Sequence, residues 1–127
     1  MLRYQWRGWK WLGVFWFILM TVLFCLPGSA LPKAHWLDKI YFDKWVHIGL
    51  FAVAIFFWRF SFPVFSSSSN WLLLLLAFGY GLSIEFIQKY WIPGRSFDLW
   101  DVAADMTGAV GGLLIWLRVY MKKNKPL

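Results

Sequence analysis

The residues of this chain best suited to chemistry fall into three short groups. Asp43, Lys44 and His47 stand four and three positions apart, which puts them on neighbouring positions of one helix face, with Phe51 continuing the line. Glu85 and Gln88 are three apart on a second face. Asp98, Asp101, Asp105, Gly108 and Gly112 follow at spacings of 3, 4, 3 and 4, a single helical stripe that begins as carboxylates and becomes glycine. Arg95 stands just ahead of that stripe, and Ser96 beside it reads as a turn or capping residue.

Several uses are open to this set. Lys44 and Arg95 suit a phosphate or carboxylate head group, Arg95 as a bidentate fork. His47, Glu85, Asp101 and Asp105 suit a divalent cation or a proton path, because carboxylate oxygens match hard cations and ionisable groups at membrane depth mark ion routes. An acid/base enzyme is the weakest reading: no serine or cysteine stands in a nucleophile motif, and two histidines are few for a metal hydrolase. Binding of an anionic lipid or envelope-precursor head group is therefore expected rather than catalysis, with the cation or proton site as an alternative, and no cofactor is expected unless it is a divalent cation. A purely structural use also exists, with Lys44 and Arg95 offsetting Glu85, Asp101 or Asp105 while His47 and Gln88 complete the hydrogen bonds. Such buried networks gain little over apolar packing, which tilts the expectation toward charges that are used.

The elements that must position these residues are hydrophobic. Of 127 residues, 61% are hydrophobic, 23% aromatic and only 15% charged, a composition outside the range of soluble domains. A helix needs roughly 20 mostly apolar residues to cross a bilayer. Four stretches approach that length, at about 11–27, 45–64, 71–92 and 100–121, and they predict an all-α four-helix bundle in one domain. Pro27-Gly28, Pro63 with the Ser66–Asn70 turn, and Pro93-Gly94 separate them. Glu85 falls about 14 residues beyond Trp71, roughly 21 Å along its helix, so it is expected inside the membrane toward one face. There an unpartnered carboxylate is costly and should turn to the bundle interior. Gly108 and Gly112 form a small-xxx-small pair suited to close helix packing. Tryptophans and tyrosines near the span ends, among them Trp11, Trp36, Tyr41, Trp45, Trp71, Tyr90 and Trp91, fit interfacial belts.

Charge sets the orientation. The termini and the second loop carry Arg3, Arg7, Lys10, Arg59, Arg118, Lys122, Lys123 and Lys125, eight cations and no acid. The opposite side carries Lys33, Lys39, Lys44, Lys89 and Arg95 against Asp38, Asp43, Glu85, Asp98, Asp101 and Asp105, with both His35 and His47. The positive-inside rule then places both termini in the cytoplasm and the polar cluster toward the outer face. The net charge of +7 reports topology and not nucleic acid, since no basic helix or zinc pattern accompanies it. Arg3, Arg7 and Lys10 before an apolar core, with Gly28-Ser29-Ala30 after it, also resemble a cleavable leader. The core's length and its Trp11 and Trp16 favour a retained span. Cys25, the only cysteine, lies in an apolar run and reads as packing.

The ordered motifs Asp43-Lys44-x-x-His47-x-x-x-Phe51, Glu85-x-x-Gln88, Pro93-Gly94-Arg95-Ser96-Phe97-Asp98-x-x-Asp101 and Asp105-x-x-Gly108-x-x-x-Gly112 resemble the VanZ-like family of small membrane proteins over roughly residues 38–117. The resemblance implies a multi-pass protein of the bacterial cytoplasmic membrane with an outward-facing site. The family takes its name from a protein associated with low-level resistance to the glycopeptide teicoplanin, and the resemblance implies no reaction. Partners expected on these grounds are membrane lipids, a lipid-linked envelope precursor or a glycopeptide, and a second copy of the chain if it moves ions. Family members usually carry asparagine where this chain has Asp105; the extra carboxylate does not fit a simple neutral hydrogen-bonding role and raises the chance of a cation or proton partner.

Overall fold

A computed structural model describes residues 2–30, 36, 40–61 and 67–123. His35, Lys33, Asp38, Lys39, Pro63, Ser66 and Lys125 lie outside the described residues. Among the described residues four long helices follow one another, α1 (Leu2–Phe24), α2 (Phe42–Ser61), α3 (Ser67–Trp91) and α4 (Leu99–Lys123), with a 3-10 turn at Gly28–Ala30. The described residues contain no strand.

Local chemistry fixes the helix ends. Asp43 sits in the first turn of α2 and Arg59 in its last, each matched in sign to the helix dipole. Ser67, Ser68, Ser69 and Asn70, expected in a turn, form the first turn of α3. Helix starts favour such residues, whose side chains can satisfy unpaired backbone N–H groups. Asp98 caps α4, its Oδ1 accepting from the Trp100 N–H at 2.9 Å while its carbonyl accepts from the Asp101 N–H at 3.0 Å.

The helices alternate in direction, so α2 and α4 run parallel, and their contact is the most extensive in the bundle. It depends on glycine. A Cβ at Gly108 would collide with the Ile48 carbonyl, and one at Gly112 with the Ala52 carbonyl, so the stripe's glycine half lies directly on the α2 backbone. At the end where α2 begins, Gly28 packs on Gly94, whose φ of 74° suits glycine, and the Gly28 N–H donates to the Pro93 carbonyl at 2.9 Å.

Of the four spans expected, two helical stretches among the described residues, Ser68–Trp91 and Leu99–Val119, are long and apolar enough to cross a membrane. The apolar run of α1, Trp11–Phe24, is shorter, and α2 carries Asp43, Lys44, His47 and Arg59 within 20 residues. Large apolar side chains such as Trp11, Phe15, Leu75 and Leu114 are exposed, whereas Glu85, Gln88 and Asp105 are at most 1% exposed. The bundle is thus apolar outside and holds its most polar groups within.

Candidate functional site

The polar groups meet where α2 and α4 begin and α3 ends, and they form two tiers. In the outer tier the Lys44 ammonium donates to Asp43 Oδ2 at 2.8 Å, Asp98 Oδ2 at 2.6 Å and Asp101 Oδ1 at 2.6 Å. An ammonium has three protons, so Lys44 is fully engaged. The same ammonium holds the Asp98 carboxyl below the usual carboxylate range; burial opposes this weakly and the Trp100 N–H adds to it. An open groove of about 770 Å³, lined by Tyr41, Asp43, Lys44, Asp98, Trp100 and Thr107 among others, exposes this tier.

The inner tier is buried. His47 Nδ1 lies 2.6 Å from Asp105 Oδ1, and because a carboxylate only accepts, the Nδ1 proton is donated to it. In the neutral imidazole that assignment leaves Nε2 as the bare nitrogen, 3.7 Å from Asp101 Oδ2. Asp101 therefore serves both tiers, with Oδ1 on Lys44 and Oδ2 toward His47. Phe24 covers the imidazole at a ring separation of 4.7 Å. Glu85 Oε2 accepts the Asp98 N–H at 3.0 Å, which ties the end of α3 to the start of α4. Glu85 Oε1 and Asp105 Oδ2 are buried without a hydrogen-bond partner among the described residues. His47, Glu85 and Asp101 each bring a ligand-capable atom, all within 4.8 Å of one another.

The VanZ/LLP1 family model matches residues 2–120. The chain belongs to this family. No curated protein and no solved structure matches it.

The motif residues of this VanZ/LLP1 protein divide by what they touch. Asp43, Lys44, His47, Glu85, Asp98, Asp101 and Asp105 converge as described. Gln88 and Arg95 instead reach the end of α1. Gln88 Nε2 donates to the Phe24 carbonyl at 2.8 Å, satisfying a carbonyl that the end of a helix leaves open, and Arg95 Nη1 donates to the Leu26 carbonyl at 3.3 Å, two residues past that end. Gln88 is wholly buried, and Arg95 makes no ion pair among the described residues, so the expected offset of the carboxylates by Arg95 is absent there. Ser96 makes no cap; Asp98 does. Gly108 and Gly112 pack helices, as their spacing suggests.

Two participants carry no mark in the sequence motifs. Phe24 supplies the ring over His47. Gly81 makes room for Asp105, whose Oδ2 would lie 2.6 Å from a Cβ at that position. Gly81 stands one turn before Glu85 on the same face, a spacing that marks it as a neighbour of the site. Farther along the bundle, an apolar cavity of about 250 Å³ between α1, α2 and α3 is walled by Met20, Phe51, Trp58 and Tyr80 among others, and no charged side chain lines it.

Proposed function

We propose that this VanZ/LLP1 protein is an integral protein of the bacterial cytoplasmic membrane, with four spanning helices and both termini inside, whose acidic well takes up a cationic ligand from the outer side. The membrane reading draws on the two long apolar helices, the apolar exterior and the alternating helix directions. The orientation draws on the eight cations that the sequence carries, without an acid, at its termini and second loop.

One observation carries the choice of ligand. The cluster holds five carboxylates, Asp43, Glu85, Asp98, Asp101 and Asp105, against one lysine whose three protons are already committed to three of them, and buried oxygens remain without partners among the described residues. A site with surplus negative charge in a water-poor setting attracts a cation and repels an anion. A second reading, an anionic head group such as that of a phospholipid or a lipid-linked envelope precursor, is favoured by one feature: the half-buried Arg95 guanidinium makes a single long hydrogen bond.

Thermal unfolding of the purified full chain in detergent micelles separates the two. The panel contains Zn²⁺, Mg²⁺ and ethanolamine as cations, with inorganic phosphate and glycerol phosphate as anions. The expected result is a rise in Tm with at least one cation and with neither anion. A rise with phosphate that Arg95→Ala removes would establish the second reading instead. The topology is tested by Lys125→Cys in a Cys25→Ser background, which should react with an impermeant maleimide only after the cells are broken.

A further inference from the structure

We propose that His47, Glu85 and Asp101 form a binding site for a divalent transition-metal ion, with Asp105 as the residue that positions the imidazole. The proposal rests on the cationic reading above and names the ligand class of the inner tier.

The two tiers offer a direct comparison. Two groups of side chains bring potential ligand atoms within 4.8 Å of one another: Asp43, Asp98 and Asp101, and His47, Glu85 and Asp101. The first group already has its cation, the Lys44 ammonium, at 2.6 to 2.8 Å from all three carboxylates. The second is more deeply buried, and Lys44 touches it only through Asp101 Oδ1; Glu85, His47 and Asp101 Oδ2 have no lysine or arginine against them among the described residues. Glu85 is 0% exposed, and its Oε1 lacks a partner among the described residues. A buried carboxylate oxygen with no donor indicates a partner that the described residues do not supply.

The imidazole is prepared as a ligand. In the neutral imidazole, donation from His47 Nδ1 to Asp105 selects the tautomer with the Nε2 lone pair bare, the arrangement by which a second carboxylate orients a metal-binding histidine. His47 Nε2 and Asp101 Oδ2, 3.7 Å apart, are too far apart to hydrogen-bond and close to the roughly 3.4 Å that separates two ligands of one tetrahedral ion. One nitrogen with two carboxylates favours a transition ion over Mg²⁺ or Ca²⁺, which take oxygen-only sets. The three ligands come from α2, α3 and α4, so bound metal would tie together the same ends of three helices.

The test uses the full chain, stripped of metal in detergent micelles and titrated calorimetrically with Zn²⁺ and Mn²⁺. One saturable ion per chain is expected. His47→Ala and Glu85→Gln should each weaken binding at least tenfold, Asp105→Ala about 10- to 100-fold through loss of the positioning bond, and Asp98→Asn less than threefold. X-ray absorption at the zinc edge of the unaltered protein, which needs no variant, should give a mixed nitrogen and oxygen shell. No saturable metal binding would overturn the proposal, as would an all-oxygen shell or an equal loss with Asp98→Asn and Glu85→Gln. Stabilisation by ethanolamine without metal binding defeats the metal site and leaves the cationic reading standing. Stabilisation by no cation at all defeats both.

Discussion

The seam between α2 and α4 is two interfaces in series. Over the first turns, Lys44 and His47 face Asp98, Asp101 and Asp105 through charged hydrogen bonds. One turn further, the carbonyls of Ile48 and Ala52 lie against Gly108 and Gly112 with no side chain between the helices. Beyond that, the Arg59 guanidinium lies 4.2 Å from the centre of the Trp116 ring. The glycine half is held by shape and has one way to fit. The polar half is held by charge and retains carboxylate oxygens that nothing among the described residues satisfies. A rigid half next to an incompletely satisfied half is how a site can be kept in register while its own bonds stay open to a ligand.

The largest effect should come from breaking the rigid half. Gly112→Ala places a methyl group into the Ala52 carbonyl and should cost on the order of 1–3 kcal/mol through forced separation of the helices. Gly111, one position earlier on the same helix, has open space around it: a Cβ there would meet nothing within 4 Å. At that position alanine should be neutral or stabilising by up to about 1 kcal/mol, since glycine is the poorer helix former. Equilibrium unfolding of both variants in the same micelle gives the difference directly, and equal losses would remove shape as the basis of this interface.

The polar half should respond to chemistry instead of size. Asp105→Leu keeps the forked side-chain shape at greater bulk and leaves the His47 Nδ1 proton buried without an acceptor, at a cost of about 1–3 kcal/mol. Asp105→Asn retains an oxygen for that proton and should change stability by less than about 1 kcal/mol. Unfolding measurements on the metal-free protein check the contrast; equal losses would mean that packing at this position outweighs the hydrogen bond.

This division explains which features the sequence alone reveals. The 3, 4, 3, 4 stripe on α4 was legible because helical periodicity dictates a shared face, and so were its two uses, since carboxylates and glycines present different surfaces. The first turns of α2 were legible for the same reason. Gln88 and Arg95 were not, because their partners are the carbonyls of Phe24 and Leu26, and spacing within one helix says nothing about where another helix ends. The start of α3 at Ser67 was missed because a serine run has the same composition in a turn and in a capped first turn.

The smallest effect is expected at the rim, and it grades the polar half from outside inward. Asp43 and Asp98 both bind Lys44, but the Asp43 side chain is 61% exposed and the Asp98 side chain 36%. Exposed ion pairs are screened by water and contribute about 0–1 kcal/mol, so Asp43→Asn should fall at the low end of that range and diminish further in high salt. Asp98→Asn should cost more, because Asp98 Oδ2 serves Lys44 while Oδ1 caps α4. Its backbone N–H, which anchors Glu85, is untouched by the substitution. Unfolding of the two variants at low and high ionic strength measures this. A larger loss for Asp43→Asn would place the functional weight of the cluster at its mouth and away from the buried tier.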